Sequence, residues 1–217
     1  KLSHRNIVAN LCQISHPLLK IAADTTDTHQ DVIPGILPWF HVGGLTPVML
    51  LYLRYLCKLV PLPKFTPELF MSTICKHRPH LMFIVPHIAS FISNSPVIKR
   101  EHLLSMRAIV CGAAPLGALD EERLLQKADG NCNVLQAYGL TETSPFVLAM
   151  SSIRKKAIGF KGSVGEPVPN TLLKVVPADD PNKESLGPNE PGELLVKGPQ
   201  VTEGYHNNPD ETKNAFV

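Results

Sequence analysis

The residues between Gln136 and Thr143 combine side-chain types that a nucleotide site uses. They read QAYGLTET and follow an apolar run that ends at Leu135. An apolar strand, then a turn of small residues, then polar groups is how α/β proteins build such a site at the carboxyl end of a strand. The Tyr138 ring can lie against a purine, and Gly139 lets the backbone approach the ligand closely. The pattern therefore indicates a nucleotide-binding turn.

Two polar side chains of this turn suit the phosphate end of a nucleotide. The Thr141 hydroxyl can donate to a phosphate oxygen, and the Glu142 carboxylate can hold the magnesium ion that accompanies phosphates. No other carboxylate lies beside the turn in the sequence, so Glu142 is the predicted magnesium ligand. A simpler interpretation, in which a Tyr-Gly turn is capped by the Thr141 hydroxyl at the start of a helix, stays open at this stage.

Further motifs occur in order along the chain. They are Ser3-His4-Arg5-Asn6, the segment LPWFHVGG from Leu37 to Gly44, the segment CGAAPLG from Cys111 to Gly117, the segment GSVGEP from Gly162 to Pro167, and Gly192-Glu193-Leu194 through Gly204-Tyr205. Together with the octet they resemble motifs of the acyl-adenylate-forming enzymes, which include acyl-CoA synthetases, 4-coumarate–CoA ligases and beetle luciferases. The resemblance runs in order from Lys1 to Val217.

The resemblance implies an ATP-dependent acid–thiol ligase. A carboxylate would attack the α-phosphate of ATP to give an acyl-adenylate and pyrophosphate, and the thiol of coenzyme A would then displace AMP. The implied cofactors are ATP, Mg²⁺ and coenzyme A, and the implied partner is a small carboxylic acid. Two alternatives stay open: a luciferase-type oxygenase that uses the same adenylate chemistry, and a non-catalytic nucleotide-binding fragment.

The resemblance also assigns roles to individual residues. Catalytic roles fall to His41, Thr141 and Glu142, and metal binding to Glu142. Nucleotide contacts fall to Gly112, Ala113, Ala114, Pro115, Gln136, Ala137, Tyr138, Gly139, Leu140 and Thr141. Contacts with the acyl group fall to His41, Gly43, Ala137, Gly139 and Pro145. Ala137 stands where the family often has glycine, so we expect the acyl pocket to be narrower by a methyl group.

Neither Lys1 nor Phe216-Val217 is typical of a natural terminus, so we expect the chain to be a fragment of the large N-terminal domain of such an enzyme. By the resemblance, the phosphate loop lies upstream of Lys1. The ribose-binding aspartate, the hinge and the C-terminal domain with its catalytic lysine lie downstream. The fragment alone is therefore expected to be inactive or nearly so.

Composition excludes several classes of function. The 217 residues are 44% apolar, enough for a large core, and a net charge of +2 gives no reason to expect nucleic acid as a partner. The basic residues Arg154-Lys155-Lys156 and Lys161 suggest a solvated loop. The apolar stretch Leu45 to Val60 is interrupted by charges and too short for a membrane span. Five cysteines without a C-x-x-C pair indicate reduced thiols in an intracellular protein, cytoplasmic or peroxisomal.

Two other chemistries receive little support. Cys75-x-His77-x-x-His80, with His87 nearby, offers side chains that bind zinc, but Pro79 separates a helix from a strand there, so the ligands would not share a face. The Gly-x-Ser-x-Gly elbow of serine hydrolases does not occur in the sequence.

The pattern of apolar residues predicts an α/β fold. Apolar strands are expected at 32–40, which prolines interrupt, and at 58–60, 81–85, 107–111 and 134–135. Helices are expected at 6–15, 45–56, from Thr66, around Ile88 to Ile92, and at 120–128. Such an alternation favours a parallel sheet covered by helices on both faces. The carboxyl edge of this sheet should bring His41 and Ala137 to one pocket.

The amino-acid composition of the chain changes near Ile158. Prolines and glycines become dense, and short alternating runs at 171–176 and 193–197 predict antiparallel strands joined by a surface loop at 178–191. We therefore expect an α/β portion over residues 1–157, followed by a small antiparallel β-barrel-like subdomain over residues 158–217.

Overall fold

The computed structural model describes residues 1–128, 130, 132–151, 162–178 and 184–216. Its central feature is a sheet of five strands in sequence order: β3 (Leu81–Ile84), β4 (Ala108–Cys111), β5 (Asn133–Gly139), β6 (Phe146–Ala149) and β7 (Glu166–Pro167). The first three strands are parallel, whereas β6 and β7 are antiparallel to their neighbours. The expected parallel strands thus form one side of a mixed sheet.

A parallel pair of strands continues the layer beside β3. It consists of β1 (Val32–Gly35) and β2 (Lys58–Pro61). The backbone N–H of His80, just before β3, donates to the carbonyl oxygen of Val32 at 2.9 Å, which joins the start of β1 to the start of β3. The strands β1 to β5 therefore begin at one edge of the layer, as the apolar runs of the sequence predict.

Helices cover both faces of the layer. They are α1 (His4–Ile14), α2 (Val42–Gly44), which continues through a π-helix (Leu45–Leu50) into α3 (Leu51–Arg54), then α4 (Pro67–His77), α5 (Pro86–Asn94) and α6 (Ala118–Lys127). A last helix, α7 (Pro209–Ala215), has no buried residue. The start of α4 follows the predicted signal, because the Thr66 hydroxyl accepts the backbone N–H of Leu69 at 3.2 Å and proline occupies the first helical position.

Successive side chains of a strand point to opposite faces of the sheet, and this divides the core into two parts. In β3 to β5, Met82, Ile109 and Val134 pack with α4, α5 and α6, whereas the alternate residues Phe83 and Leu135 pack with α1 and α3. This arrangement confirms the expected α/β class with helices on both sides.

The β-rich end of the chain differs from the expectation. Strands β8 (Leu172–Val176) and β9 (Glu193–Lys197) form an antiparallel pair, and β7 joins the central sheet instead. Within the described residues this pair has two strands, so the structure does not support a barrel. The expected domain boundary near residue 158, the basic residues 154–156 and 161, and residues 179–183 of the expected loop lie outside the described residues.

Amide side chains of α1 join the helix to segments far away in the sequence. The Asn10 side chain donates to the Phe146 carbonyl oxygen at 2.9 Å and accepts the Phe146 N–H at 3.1 Å. The Asn6 amide donates to the carbonyl oxygens of Pro199 and Val201 at 3.0 and 2.8 Å. Since these amides are buried and satisfied, they fix the position of the segments that they bind.

A buried carboxylate organises the amino-terminal edge of the layer. Asp31 is 0% exposed, and its side chain accepts hydrogen bonds from Arg107 at 2.6 Å and from the Ala23 N–H at 2.8 Å. Burial by itself raises the pKa of Asp31, but the hydrogen bonds from Arg107 and Ala23 outweigh it and lower the pKa below its ordinary value of 3.8. This ion pair lies opposite the edge at which the sequence places the functional residues.

The five cysteines all lie among the described residues and all are free thiols. Burial raises the pKa of Cys111 to about 12, so this thiol stays protonated at neutral pH. None of the described helices is long and apolar enough to cross a membrane.

Candidate active site

An open cleft of about 1010 Å³ runs along the carboxyl ends of β1 to β5. Its wall is formed by residues that follow each of these strands, in the segments 35–43, 61–65, 83–88, 110–113 and 137–146. Most of these side chains are apolar, and the polar side chains are few. A large apolar cleft at this edge of a parallel sheet is where such folds bind small molecules.

The turn after β5 is built by tight backbone contacts. The Leu140 N–H donates to the Pro145 carbonyl oxygen at 3.1 Å, and the Thr143 hydroxyl donates to the same oxygen at 2.5 Å. A Cβ atom on Gly139 would lie 1.8 Å from this oxygen, so only glycine fits at that position. The resulting 3₁₀ turn, Thr141–Thr143, presents Thr141 at the cleft wall.

The loop after β4 is fastened by Gln136. Its side-chain oxygen accepts the Leu116 N–H at 3.1 Å, and its side-chain nitrogen donates to Glu121 of α6 at 3.2 Å. Gln136 is buried and does not line the cleft. The structure thus gives this predicted nucleotide-binding residue the role of holding the loop 112–117 in place.

His41 lies at the start of α2 on the opposite wall of the cleft. Its Nδ1 atom accepts the Gly43 N–H at 3.0 Å, which caps the short helix and fixes the ring. The ring is exposed, and Nε2 makes no hydrogen bond to the described residues. The imidazole is therefore held in place by one nitrogen and offers the other to a ligand.

The predicted site residues fall into two groups. Those that line the cleft are His41, Gly43, Gly112, Ala113, Ala137, Gly139, Leu140, Thr141 and Pro145. Those that do not line it are Ala114, Pro115, Gln136, Tyr138 and Glu142. Alternation along β5 accounts for part of this division, because Val134 and Gln136 face α6 and Tyr138 continues their phase, whereas Leu135 and Ala137 face the other side.

One residue near the site was missed by the sequence reasoning. The Tyr205 hydroxyl donates to Oε1 of Glu142 at 2.8 Å, although the two residues are 63 positions apart. The hydrogen bond to the Glu142 carboxylate raises the pKa of Tyr205. The only hint in the sequence is that Tyr205 ends the last of the ordered motifs.

A small cavity of about 40 Å³ lies beside the cleft. The two cavities share five wall residues, which are Pro47, Phe83, Val110, Ala137 and Phe146. The rest of the small cavity is lined mainly by apolar side chains of α1, α3 and β6 and the segments beside them. Ala137 is thus common to the walls of both spaces.

Comparison with known proteins agrees with this geometry. The family model described as AMP-binding enzyme matches residues 1–206. Over 99% of its length the chain is 36% identical to a probable 4-coumarate–CoA ligase 3 of Dictyostelium discoideum and 34% identical to 4-coumarate–CoA ligase 3 of Oryza sativa subsp. japonica. It spans 37% and 38% of the lengths of these relatives.

The fold is also similar to solved structures. The whole chain aligns with 40% of ATP-bound MatB from Rhodopseudomonas palustris at a TM-score of 0.83 and 27% sequence identity. An o-succinylbenzoate coenzyme A synthetase from Bacillus subtilis, solved with ATP and magnesium, aligns at a TM-score of 0.77 and 23% identity, which supports the fold alone.

Proposed function

Because this chain belongs to the AMP-binding enzyme family, we propose that it forms part of an ATP-dependent acid–CoA ligase. The proposed reaction joins a carboxylic acid to AMP and then transfers the acyl group to the thiol of coenzyme A. The observation that carries the proposal is the cleft, because it brings the His41 loop, the small-residue loop after β4 and the turn after β5 to one sheet edge.

The cleft offers room for both substrates. Gly112 and Ala113 of the loop after β4 line it, and their small size would let a flat base approach the backbone there. Ala137 and the apolar wall beside it suit an acyl group. Gly139 and Thr141 lie where β5 ends, so the phosphate and carboxylate groups would meet there. Catalysis then depends chiefly on positioning the two substrates.

The residues of the turn are suited to a magnesium ion. The Glu142 side chain is half-buried, its Oε1 accepts from Tyr205, and Oε2 has no hydrogen-bond donor among the described residues. An ionised carboxylate oxygen of this kind is what Mg²⁺ prefers as a ligand. When bound, the ion would neutralise charge on the phosphates of ATP. The Thr141 hydroxyl, exposed at the cleft wall, would donate to a phosphate oxygen.

The proposal is tested on Glu142 in the full-length protein. Glu142→Ala is expected to slow adenylate formation at least about tenfold, which corresponds to roughly 1.4 kcal/mol of barrier. The measurement is pyrophosphate release with saturating ATP, acid and Mg²⁺, and the control is Glu122→Ala, which removes an exposed carboxylate on α6.

Pyrophosphate release at the unmodified rate in Glu142→Ala would remove Glu142 from the reaction. The same preparation separates the candidate activities. Formation of an acyl-CoA thioester supports the ligase, whereas adenylate formation with light emission and no thioester supports the oxygenase. ATP binding without pyrophosphate release would indicate a non-catalytic nucleotide-binding protein.

A further inference from the structure

We propose that Tyr205 is a positioning residue that holds the Glu142 carboxylate in the orientation in which it binds a divalent cation. The inference rests on the proposed function, since it takes Glu142 as a magnesium ligand. It adds a residue from the β-rich end of the chain to a site whose other predicted members lie between residues 41 and 145.

The contact between the two side chains has the geometry of a charge-assisted hydrogen bond. The Tyr205 hydroxyl is the donor, Oε1 of Glu142 is the acceptor, and the distance is 2.8 Å. One carboxylate oxygen is thereby occupied, and the other, Oε2, has no hydrogen-bond donor among the described residues. Carboxylates that bind metals are commonly oriented by a hydrogen bond of this kind to the oxygen or face that the metal does not use.

The backbone around Tyr205 is attached to the Glu142 turn at two further points. The Thr202 N–H donates to the Glu142 carbonyl oxygen at 2.8 Å, and the Ser144 hydroxyl donates to the Gln200 carbonyl oxygen at 3.0 Å. The carbonyl oxygen of Val201 also accepts from the buried Asn6 amide of α1 at 2.8 Å. The segment 200–205 is therefore docked on the turn by its backbone, independently of the Tyr205 hydroxyl.

Two further contacts, one of the backbone and one of the ring, hold Tyr205 in place. The Tyr205 N–H donates to the Thr212 hydroxyl at 2.9 Å, and the ring packs edge-on against Phe216 with 6.0 Å between ring centroids. These contacts do not involve the phenolic oxygen. A phenylalanine at this position would keep them and lose only the hydrogen bond to Glu142, so the hydroxyl can be tested without moving the segment.

Losing the hydroxyl frees the Glu142 carboxylate to rotate. Removing the hydrogen-bond partner of a metal ligand typically lowers metal affinity by about 10- to 100-fold. Because Tyr205 and Glu142 are both partly exposed, we expect the lower end of this range, about tenfold. Saturating metal should then restore the rate of adenylate formation, and the KM for the acid should not change.

The test uses Mn²⁺ as the probe, bound to the full-length protein together with a non-hydrolysable ATP analogue and followed by electron paramagnetic resonance. Tyr205→Phe is compared with Glu142→Gln, with the double variant, and with Tyr55→Phe, which alters a tyrosine outside the cleft wall. The expected result is a loss of about tenfold in Mn²⁺ affinity for Tyr205→Phe, no loss for Tyr55→Phe, and no further loss when Tyr205→Phe is added to Glu142→Gln.

Two results would overturn the inference, and they differ in what they say about the proposed function. Weak Mn²⁺ binding in Glu142→Gln with unchanged binding in Tyr205→Phe would leave Glu142 as the metal ligand and remove Tyr205 from its support. Unchanged Mn²⁺ binding in Glu142→Gln would remove the metal role of Glu142 itself. Tighter Mn²⁺ binding in Tyr205→Phe would show that the hydroxyl competes with the ion, which also contradicts the proposal.

Discussion

Ala137 lies in the wall between the cleft and the small cavity. It is 8% exposed, and it is one of five residues that line both spaces. Changing Ala137 to glycine removes one methyl group from this wall. The proposed acyl group would then have access to part of the small cavity, whose volume of about 40 Å³ exceeds the roughly 30 Å³ that a water molecule occupies in the liquid.

The size of the effect follows from the apolar surface that a longer or bulkier acid would bury. One additional buried methylene is worth about 0.8 kcal/mol. This corresponds to a change of about fourfold in kcat/KM for each methylene accommodated, because about 1.4 kcal/mol is a factor of ten. We therefore expect Ala137→Gly to favour the acid that is larger by one methylene by about fourfold relative to the unmodified enzyme.

The assay measures kcat/KM of the full-length enzyme for a homologous series of straight-chain and aromatic acids, together with the apparent KM for ATP. Ala108→Gly is the matched control, because it removes a buried methyl group from the neighbouring strand β4 without touching either cavity. An unchanged ranking of acids combined with a weaker affinity for ATP would place Ala137 on the nucleotide side and refute the pocket assignment.

Two further predictions concern the stability of the full-length protein. Asp31→Asn should lower the free energy of unfolding by about 2 kcal/mol at neutral pH, because Arg107 loses a charged partner. Since the folded-state pKa of Asp31 is lowered, the part of the deficit that comes from its charge should shrink as the pH falls through the folded pKa, as measured by urea unfolding at several pH values. Ala113 has φ +69°, so Ala113→Gly should raise the free energy of unfolding by about 0.5–1 kcal/mol in the same assay, and Ala114→Gly, the control without a positive φ, should not. A pH-independent deficit for Asp31→Asn, or a loss of stability in Ala113→Gly, would contradict these arguments.

The parts of the fold that the sequence predicts well are those with strong local patterns. The buried runs at β3 and β4 are continuous and apolar, and α4 begins with a capping hydroxyl followed by proline. The π-helix at Leu45–Leu50 was not predicted, because an apolar run shows only that a helix is buried. Pro47 lies inside it, and a proline within a helix removes an N–H donor and disturbs the regular hydrogen-bond ladder, which a wider turn accommodates.

Strands that depend on distant partners were missed. The β6 strand follows the turn residues Ser144 and Pro145, and its first residue is fixed by the Asn10 side chain of α1. The β7 strand has only two residues and exists because it pairs with β6. The two residues of β7 carry no strand pattern, and the short apolar run of β6 does not by itself show that it turns back to pair antiparallel with β5.

At the candidate site, too, the sequence predicts the motif but not where each of its side chains points. The sequence correctly indicates that the octet from Gln136 ends in a turn at the carboxyl edge of the sheet, but it treats the residues as one group. In the structure, successive side chains of β5 point to opposite faces, so Gln136 lies toward α6 and Ala137 lies toward the cleft. Neighbouring residues of the motif therefore have different roles. Glu142 meets Tyr205 in a region where the backbone of residues 200–202 docks on the turn. A motif can thus specify which chemical groups are present near a site, whereas the phase of the strand and the docking of a distant segment decide which side of the sheet and which neighbouring residues each group faces.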